Sequence, residues 1–166
     1  MWAQADPALH LIYDGTTTES PGSPAGGNDN DVIGFVTSTG APYADAVTDH
    51  SPSNGCTPYT GFDIRVAAGN STGLLWNPCD PAHNNPCTDN PNGGGFDLQA
   101  ILTHEWGHVV GLGHPVVQGH DDSQLTMVSS SGCAGCRHAD TLAYGDVLGE
   151  RSLYPTSAPF PALYSP

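Results

Sequence analysis

The sequence predicts one domain of the α+β class. Short apolar runs of strand length occur before residue 80, and patterns of helical period follow residue 97. Segregation of strands and helices along the chain is typical of α+β domains. The length of 166 residues suits a single domain that buries roughly two-thirds of its unfolded surface. We expect this domain over residues 1–155, with a proline-rich tail or linker over residues 156–166.

Strand patterns are short and separated by turn residues. The apolar run Ala8–Tyr13 and the run Val32–Val36 are each predicted as a strand. Gly61–Ala67 alternates apolar and polar residues, as expected of a half-buried strand. Leu74–Trp76 is either another short strand or an apolar anchor. Residues 37–60 have no clear periodicity, and within them Asp49–Gly55 has the composition of a loop.

Two helices are predicted in the second half. Asp97 is expected to be the N-cap of the first helix. Its core-facing stripe is expected to comprise Leu98, Ile101, Leu102 and Val109. The second helix should start at Asp140–Leu142 and end near Tyr154, because proline follows at position 155.

The first helix carries the most informative stretch, which has the pattern H-E-x-x-H-x-x-G-x-x-H over residues 104–114. His104 and His108 are four residues apart and therefore share one helical face, where two imidazoles can bind one metal ion. Gly111 supplies a residue that tolerates positive φ at the turn after the helix. The chain can then return His114 as a third ligand. The alternative of ordinary core histidines would leave this combination of spacings unexplained.

Three neutral histidines around zinc leave a fourth tetrahedral position for water, whose pKa falls to about 7. This is the ligand set of a hydrolytic site. Glu105 follows the first histidine and is predicted to be the general base and acid. A zinc site without turnover, in an adhesion or interaction module, is the competing interpretation, but a structural site needs four protein ligands and no base.

Met127 lies thirteen residues after His114 and is one of two methionines in the chain. With this methionine, the 104–114 stretch resembles the signature of the metzincin zinc metalloendopeptidases, which ends in a methionine-containing turn. The resemblance implies a twisted mixed β-sheet, a zinc-binding active-site helix, a Met-turn and a C-terminal helix. It also implies that Met127 lies under the imidazoles without binding the metal, and that the chain cleaves extended protein or peptide substrates.

Within the metzincins, two segments resemble the matrixin branch, and especially its bacterial members. Residues 142–155 are similar to the matrixin C-terminal helix, and residues 95–100 are similar to the run into the catalytic helix. Pro115 instead resembles the serralysins. Two departures from the matrixin pattern are that no tyrosine closely follows Met127 and that Gly145 replaces the first of two paired aspartates.

Charge excludes some partners. The chain has 17 acidic residues, three arginines and no lysine, with a formal net charge of −14. Nucleic acid and anionic membrane surfaces require a basic patch, so neither is expected as a partner. We find no run of about 20 apolar residues that could span a membrane. We expect a monomer that binds a protein or peptide substrate.

Cysteine content indicates an oxidising compartment, and therefore secretion. The five cysteines cannot all pair internally. We expect disulfides Cys79–Cys87 and Cys133–Cys136 with Cys56 unpaired, although Cys133 and Cys136 could instead be a zinc-ligand pair. Residues 1–5 lack the features of a signal peptide, so a signal or pro-segment is expected to have been removed.

Three further expectations concern ions and specificity. Asn28–Asp31 and Asp121–Asp122 have the oxygen ligands that calcium prefers, or else form solvated turns. Residues 128–141 should line the pocket for the side chain after the scissile bond, by resemblance. An apolar residue such as Leu is expected there, with an acidic residue paired to Arg137 as the alternative. Five other histidines lack ligand spacing and are expected mostly in solvent, with a second zinc site less expected: His10, His50, His83, His120 and His138.

Overall fold

The protein is described by a computed structural model that covers residue 2 and residues 12–22, 31–37, 46–51, 61–68, 76–77, 96–115, 125–128 and 142–154. These residues contain the strands β1 (Val32–Val36), β2 (Ala46–Ser51), β3 (Gly61–Ala67), β4 (Trp76–Asn77) and β5 (Phe96–Asp97), and the helices α1 (Leu98–Val109) and α2 (Tyr144–Leu153). The chain divides into two compact units. The sheet unit comprises residues 14–75, and the helix unit comprises residues 1–13 and 76–166.

A mixed three-stranded sheet with the order β1-β3-β2 forms the sheet unit. β1 pairs with β3 in parallel, with Val32 opposite Asp63, and β2 pairs with β3 in antiparallel. The predicted strands at 32–36 and 61–67 are confirmed with the same bounds. β3 is central and carries the buried residues of this sheet: Asp63, Ile64, Val66 and Ala67.

Two predictions in the first half of the chain are wrong. Residues 49–51, whose polar types are common in turns and predict a loop, instead form the end of β2. β2 forms because it pairs with β3, a contact that the local composition of β2 does not indicate. Conversely, Ile12 and Tyr13, at the end of the predicted first strand, are not in a strand and are 86% and 81% exposed. Residues 8–11 of that prediction lie outside the described residues.

Asp63 holds together three segments of the sheet unit. Its side chain is 1% exposed. Oδ1 accepts a hydrogen bond from the Val32 amide at 2.9 Å, and Oδ2 accepts one from the Gly22 amide at 2.8 Å. The carboxylate therefore fixes β1 and the segment before it onto β3.

In the helix unit, β5 pairs in parallel with β4 and leads directly into α1. Of the two alternatives for Leu74–Trp76, the structure has a strand at Trp76, while residues 74–75 lie outside the described residues. α1 begins immediately after the predicted N-cap, Asp97. The predicted stripe is only partly correct, because Ile101 is buried whereas Leu98, Leu102 and Val109 are half-buried. The closest-packed face instead carries small residues, among them Ala100, Thr103 and Gly107. Small side chains let neighbouring segments approach the helix backbone.

The core of the helix unit joins residues far apart in the sequence. Trp2, Val110, Met127, Leu142 and Val147 are buried together, with Trp106 and Leu112 packed against them. α2 starts at Tyr144, later than predicted, and its expected end near residue 154 is confirmed. Neither helix in the described residues is long and apolar enough to cross a membrane.

Candidate metal centre

Three histidines of the motif converge on one point. The Nε2 atoms of His104 and His108 are 3.1 Å apart, and each lies close to Nε2 of His114, at 3.1 Å from His104 and 3.2 Å from His108. Nitrogens bound to one tetrahedral ion at about 2.0–2.1 Å lie roughly 3.3 Å from each other. The three side chains are close enough to bind a metal ion, as the sequence predicts.

The turn after α1 delivers the third histidine. Gly111 has φ of 96°, in the left-handed region that favours glycine. The Gly111 amide donates to the His108 carbonyl at 2.9 Å, and the Leu112 amide donates to the Gly107 carbonyl at 2.9 Å. These two bonds are the pair that defines a Schellman C-cap. The predicted role of Gly111 is confirmed, and it explains how the chain reverses within six residues to present His114.

Backbone carbonyls orient the two helical histidines. His104 Nδ1 lies 2.6 Å from the Thr126 oxygen, and His108 Nδ1 lies 2.7 Å from the Leu112 oxygen. Because a carbonyl oxygen only accepts, each Nδ1 is assigned the proton, and each Nε2 then carries a lone pair. Two lone pairs 3.1 Å apart repel unless a cation lies between them. The donor set therefore fits a metal ion that prefers nitrogen ligands.

Burial favours the neutral form of two of the three histidines, His104 and His114. Desolvation lowers the pKa of His104 below the ordinary 6.5, while the Thr126 carbonyl and, more weakly, Asp146 act in the opposite direction. The pKa of His114 is also lowered, by burial and then by the nearby His108. Since metal binding requires unprotonated imidazole, these shifts keep the ligands ready at neutral pH.

Met127 lies under α1. It is 3% exposed, and it contacts the helix at Gly107 so closely that a Cβ added there would overlap its sulfur. In the sequence, Gly107 lies between the two helical histidines, one residue before His108. Met127 thus packs against α1 at Gly107, and glycine at position 107 is required by that contact, whereas the position of Met127 under the imidazoles stays a prediction.

One carboxylate fastens the turn at residues 125–128, called here the methionine turn, to α2. Asp146 is 3% exposed, and its oxygens accept hydrogen bonds from the amides of Thr126 at 2.9 Å and Met127 at 3.2 Å. Oδ2 also accepts from the Ala143 amide at 2.9 Å. A Cβ at Gly145 would lie 2.7 Å from Leu125 Cδ2, so a second aspartate there would require the Leu125 side chain to shift. Asp146 provides these contacts without it.

Sequence reasoning missed Trp2. Its indole is 3% exposed, Nε1 donates to the Thr103 carbonyl at 2.8 Å, and the ring lies against Gly107. It therefore supports the turn of α1 that carries the histidines. A tryptophan among small residues near the start of the sequence was the available signal, but its partner is 101 residues away.

Glu105 lies on α1 beside His104 and is 5% exposed. A carboxylate held in such surroundings has a restricted set of conformations, which suits a positioned proton acceptor. Its catalytic role remains a prediction.

Other predicted features lie outside the described residues. Of the candidate calcium ligands, only Asp31 is described, and its Oδ1 accepts a hydrogen bond from the Phe62 amide at 2.8 Å. His50 lies in β2. The undescribed residues include Asn28–Asn30, Asp121–Asp122, the segment 129–141 with Arg137, the tail, the histidines 10, 83, 120 and 138, and all five cysteines (Cys56, Cys79, Cys87, Cys133 and Cys136).

Comparison with known proteins adds no assignment to this geometry. The chain matches no family model, and it has no significant match among curated proteins or among solved structures.

Proposed function

We propose that this chain is a secreted zinc-dependent endopeptidase with a metzincin-like α+β fold over residues 1–155. The convergence of His104, His108 and His114, with Nδ1 of the first two directed at carbonyl oxygens, is the observation that carries the proposal. Within the described part of the chain, no cysteine, aspartate, glutamate or fourth histidine joins this group. Three neutral ligands with a free position are typical of catalytic rather than structural zinc.

The proposed chemistry is hydrolysis of a peptide bond. Zinc held by three imidazoles supplies Lewis acidity, which polarises a carbonyl and acidifies water. Glu105 takes a proton from the attacking water and passes it to the nitrogen of the leaving amine. His104 and His108 keep their orientation because the Thr126 and Leu112 carbonyls hold their Nδ1 atoms.

The proposed substrate is an extended segment of a protein, bound as an additional strand beside a sheet edge, which is a common mode of peptide recognition. An apolar side chain is proposed after the scissile bond, and Arg137 with an acidic side chain is the alternative. The net charge of −14 argues against nucleic acid as a substrate. Calcium in the acidic loops would be an additional, structural ion.

The test compares Glu105→Gln with wild type and with Glu19→Gln, an acid-to-amide change at an exposed position. Glu105→Gln should retain zinc, because the ligands are unchanged, while peptide cleavage falls on the order of 10²- to 10⁴-fold through loss of the base. Cleavage is followed with casein and a quenched peptide library, with and without a zinc chelator. Zinc content is measured on the same samples.

Glu19→Gln should cleave at the wild-type rate. Turnover by Glu105→Gln at the wild-type rate would contradict the assigned base. Stoichiometric zinc without chelator-sensitive cleavage of any library peptide would favour the interaction module instead.

A further inference from the structure

The two helical histidines each contact a backbone carbonyl, but the two carbonyls belong to peptide groups with different further contacts. His108 Nδ1 donates to the Leu112 oxygen, in the turn that follows its own helix. His104 Nδ1 donates to the Thr126 oxygen, which belongs to the peptide group between Thr126 and Met127. The amide of that same peptide group is the Met127 N–H, and it donates to Asp146 Oδ1 at 3.2 Å. One planar peptide group therefore has an imidazole on its oxygen and a carboxylate on its hydrogen.

Hydrogen bonds on both ends of one amide strengthen each other, because a carboxylate on the N–H shifts electron density towards the carbonyl oxygen. That oxygen then accepts more strongly from Nδ1–H and makes the opposite ring nitrogen, Nε2, a better electron donor. The effect is favoured by a low local dielectric, and both Thr126 and Asp146 are buried, at 1% and 3% exposure.

We propose that Asp146 is a positioning residue of the metal centre, which acts on His104 through the Thr126–Met127 peptide group and increases the affinity of the site for its metal. This inference rests on the metal-binding part of the proposed function and is independent of peptide hydrolysis. It assigns to Asp146 a role beyond fastening the turn to α2. It also makes His104 a stronger donor than His108.

Asp146→Asn is the informative variant, because it keeps the shape of the side chain. Oδ2 accepts two amides, from Thr126 and Ala143, whereas Oδ1 accepts only Met127. An asparagine retains more bonds by placing its oxygen at the Oδ2 position, which turns its NH₂ group towards the Met127 N–H. The change then removes the bond that connects the carboxylate to the peptide group.

Two controls separate this effect from a loss of packing. Asp63→Asn removes a carboxylate that is similarly buried and accepts hydrogen bonds from two amides, where Asp146 accepts from three, but it lies in the sheet unit. Gly145→Ala keeps Asp146 and disturbs its surroundings, since the added Cβ would lie 2.7 Å from Leu125 Cδ2. Thermal unfolding of the metal-free proteins gives the structural cost of each change.

The experiment measures zinc affinity of each folded, metal-free protein by competition with a chelator. Asp146→Asn should weaken zinc binding by roughly 2- to 10-fold, less than the 10- to 100-fold typical of removing a direct partner of a ligand histidine, because the Thr126 carbonyl remains. Asp63→Asn should keep the wild-type affinity. The proposal is overturned if Asp146→Asn lowers only the unfolding temperature, or if Gly145→Ala weakens zinc as much at a similar unfolding temperature.

A second measurement needs no variant and covers the case in which Asp146→Asn does not fold. In the proton NMR spectrum of the zinc-loaded wild-type protein, the Nδ1–H of His104 should resonate further downfield than that of His108, because its acceptor is backed by a carboxylate. The reverse order, or coincident signals, would overturn the proposal. Neither readout requires turnover, so an inactive protein that meets both expectations rejects the peptidase function and retains this inference.

Discussion

Asp63 in the sheet unit and Asp146 in the helix unit use the same chemistry for different ends. Both are almost fully buried, and each accepts hydrogen bonds from amides of segments distant in the sequence. Asp63 joins β1 and residue 22 to β3, so its hydrogen bonds stabilise only the sheet unit. Asp146 joins the turn that contains Met127 to α2. That turn also contacts His104 through the Thr126 carbonyl. The difference shows that the contribution of a buried carboxylate depends on which other residues its amide partners contact.

The largest expected difference between the two regions is in zinc binding, which a change at a histidine of the helix unit should abolish and a change in the sheet unit should not. His108→Ala removes one of three ligands, so zinc should no longer stabilise the protein. For wild type, zinc at 1,000 times its dissociation constant should add about 4 kcal/mol to the free energy of unfolding. Denaturant titration with and without zinc measures this difference. Asp63→Asn, which leaves the ligands intact, should retain the full zinc increment, and an increment that persists in His108→Ala would contradict the assigned ligand set.

Removal of each carboxylate should destabilise the metal-free protein, and the difference between the two variants, about 1–3 kcal/mol for one amide, is the next largest effect. Asp63→Ala leaves two amides without their acceptor and Asp146→Ala leaves three. A buried donor without a partner costs about 1–3 kcal/mol, so Asp146→Ala should destabilise the metal-free protein more than Asp63→Ala does. Urea unfolding of both variants makes the comparison. Equal costs would mean that one Asp146 bond contributes nothing, and the weakest candidate is the 3.2 Å bond from Met127.

The smallest expected effect comes from two close-packed glycines, one in each unit. A Cβ at Gly34 would lie 2.9 Å from Pro21 Cδ, and a Cβ at Gly107 would overlap the Met127 sulfur. Overpacking costs about 1–3 kcal/mol, partly offset at Gly107 by roughly 1 kcal/mol of better helix propensity. Gly34→Ala should lower stability alone, whereas Gly107→Ala should also weaken zinc binding, as measured by chelator competition.

Gly113→Ala is the matched control for these glycines, because no atom would lie within 4 Å of its Cβ. It should leave both stability and zinc affinity near the wild-type values. If Gly107→Ala also left zinc affinity unchanged, the contact with Met127 would have no influence on the ligands.

The local part of the candidate metal centre, the convergence of its three histidines, could be predicted from the sequence. The spacing of His104 and His108 follows from one helical turn, and the positive φ of Gly111 follows from the need to end the helix and return His114. These constraints act within eleven residues. The same locality explains why the bounds of β1 and β3 agree with their apolar patterns.

The remainder depends on contacts that the sequence does not encode locally. Trp2 lies against a helix about a hundred residues away, and only the folded core brings the two together. β2 has a polar composition and forms because β3 offers a free edge for pairing. The bonds of Asp146 to the methionine turn likewise join residues about twenty positions apart, in segments without a shared pattern.

The contact between Gly107 and Met127 also has a consequence for chemical durability. Oxidation of methionine to its sulfoxide adds a polar oxygen to the sulfur. A methyl group added at Gly107 would overlap the sulfur, so an oxygen added on the side of the sulfur that faces Gly107 would press against the helix. Because Met1 and Met127 are the two methionines of the chain, peptide mapping after peroxide treatment distinguishes them directly. Met127 is 3% exposed, so the extent of its sulfoxide formation would report how well this packing shields the sulfur, and the modification is expected to disturb the candidate metal centre.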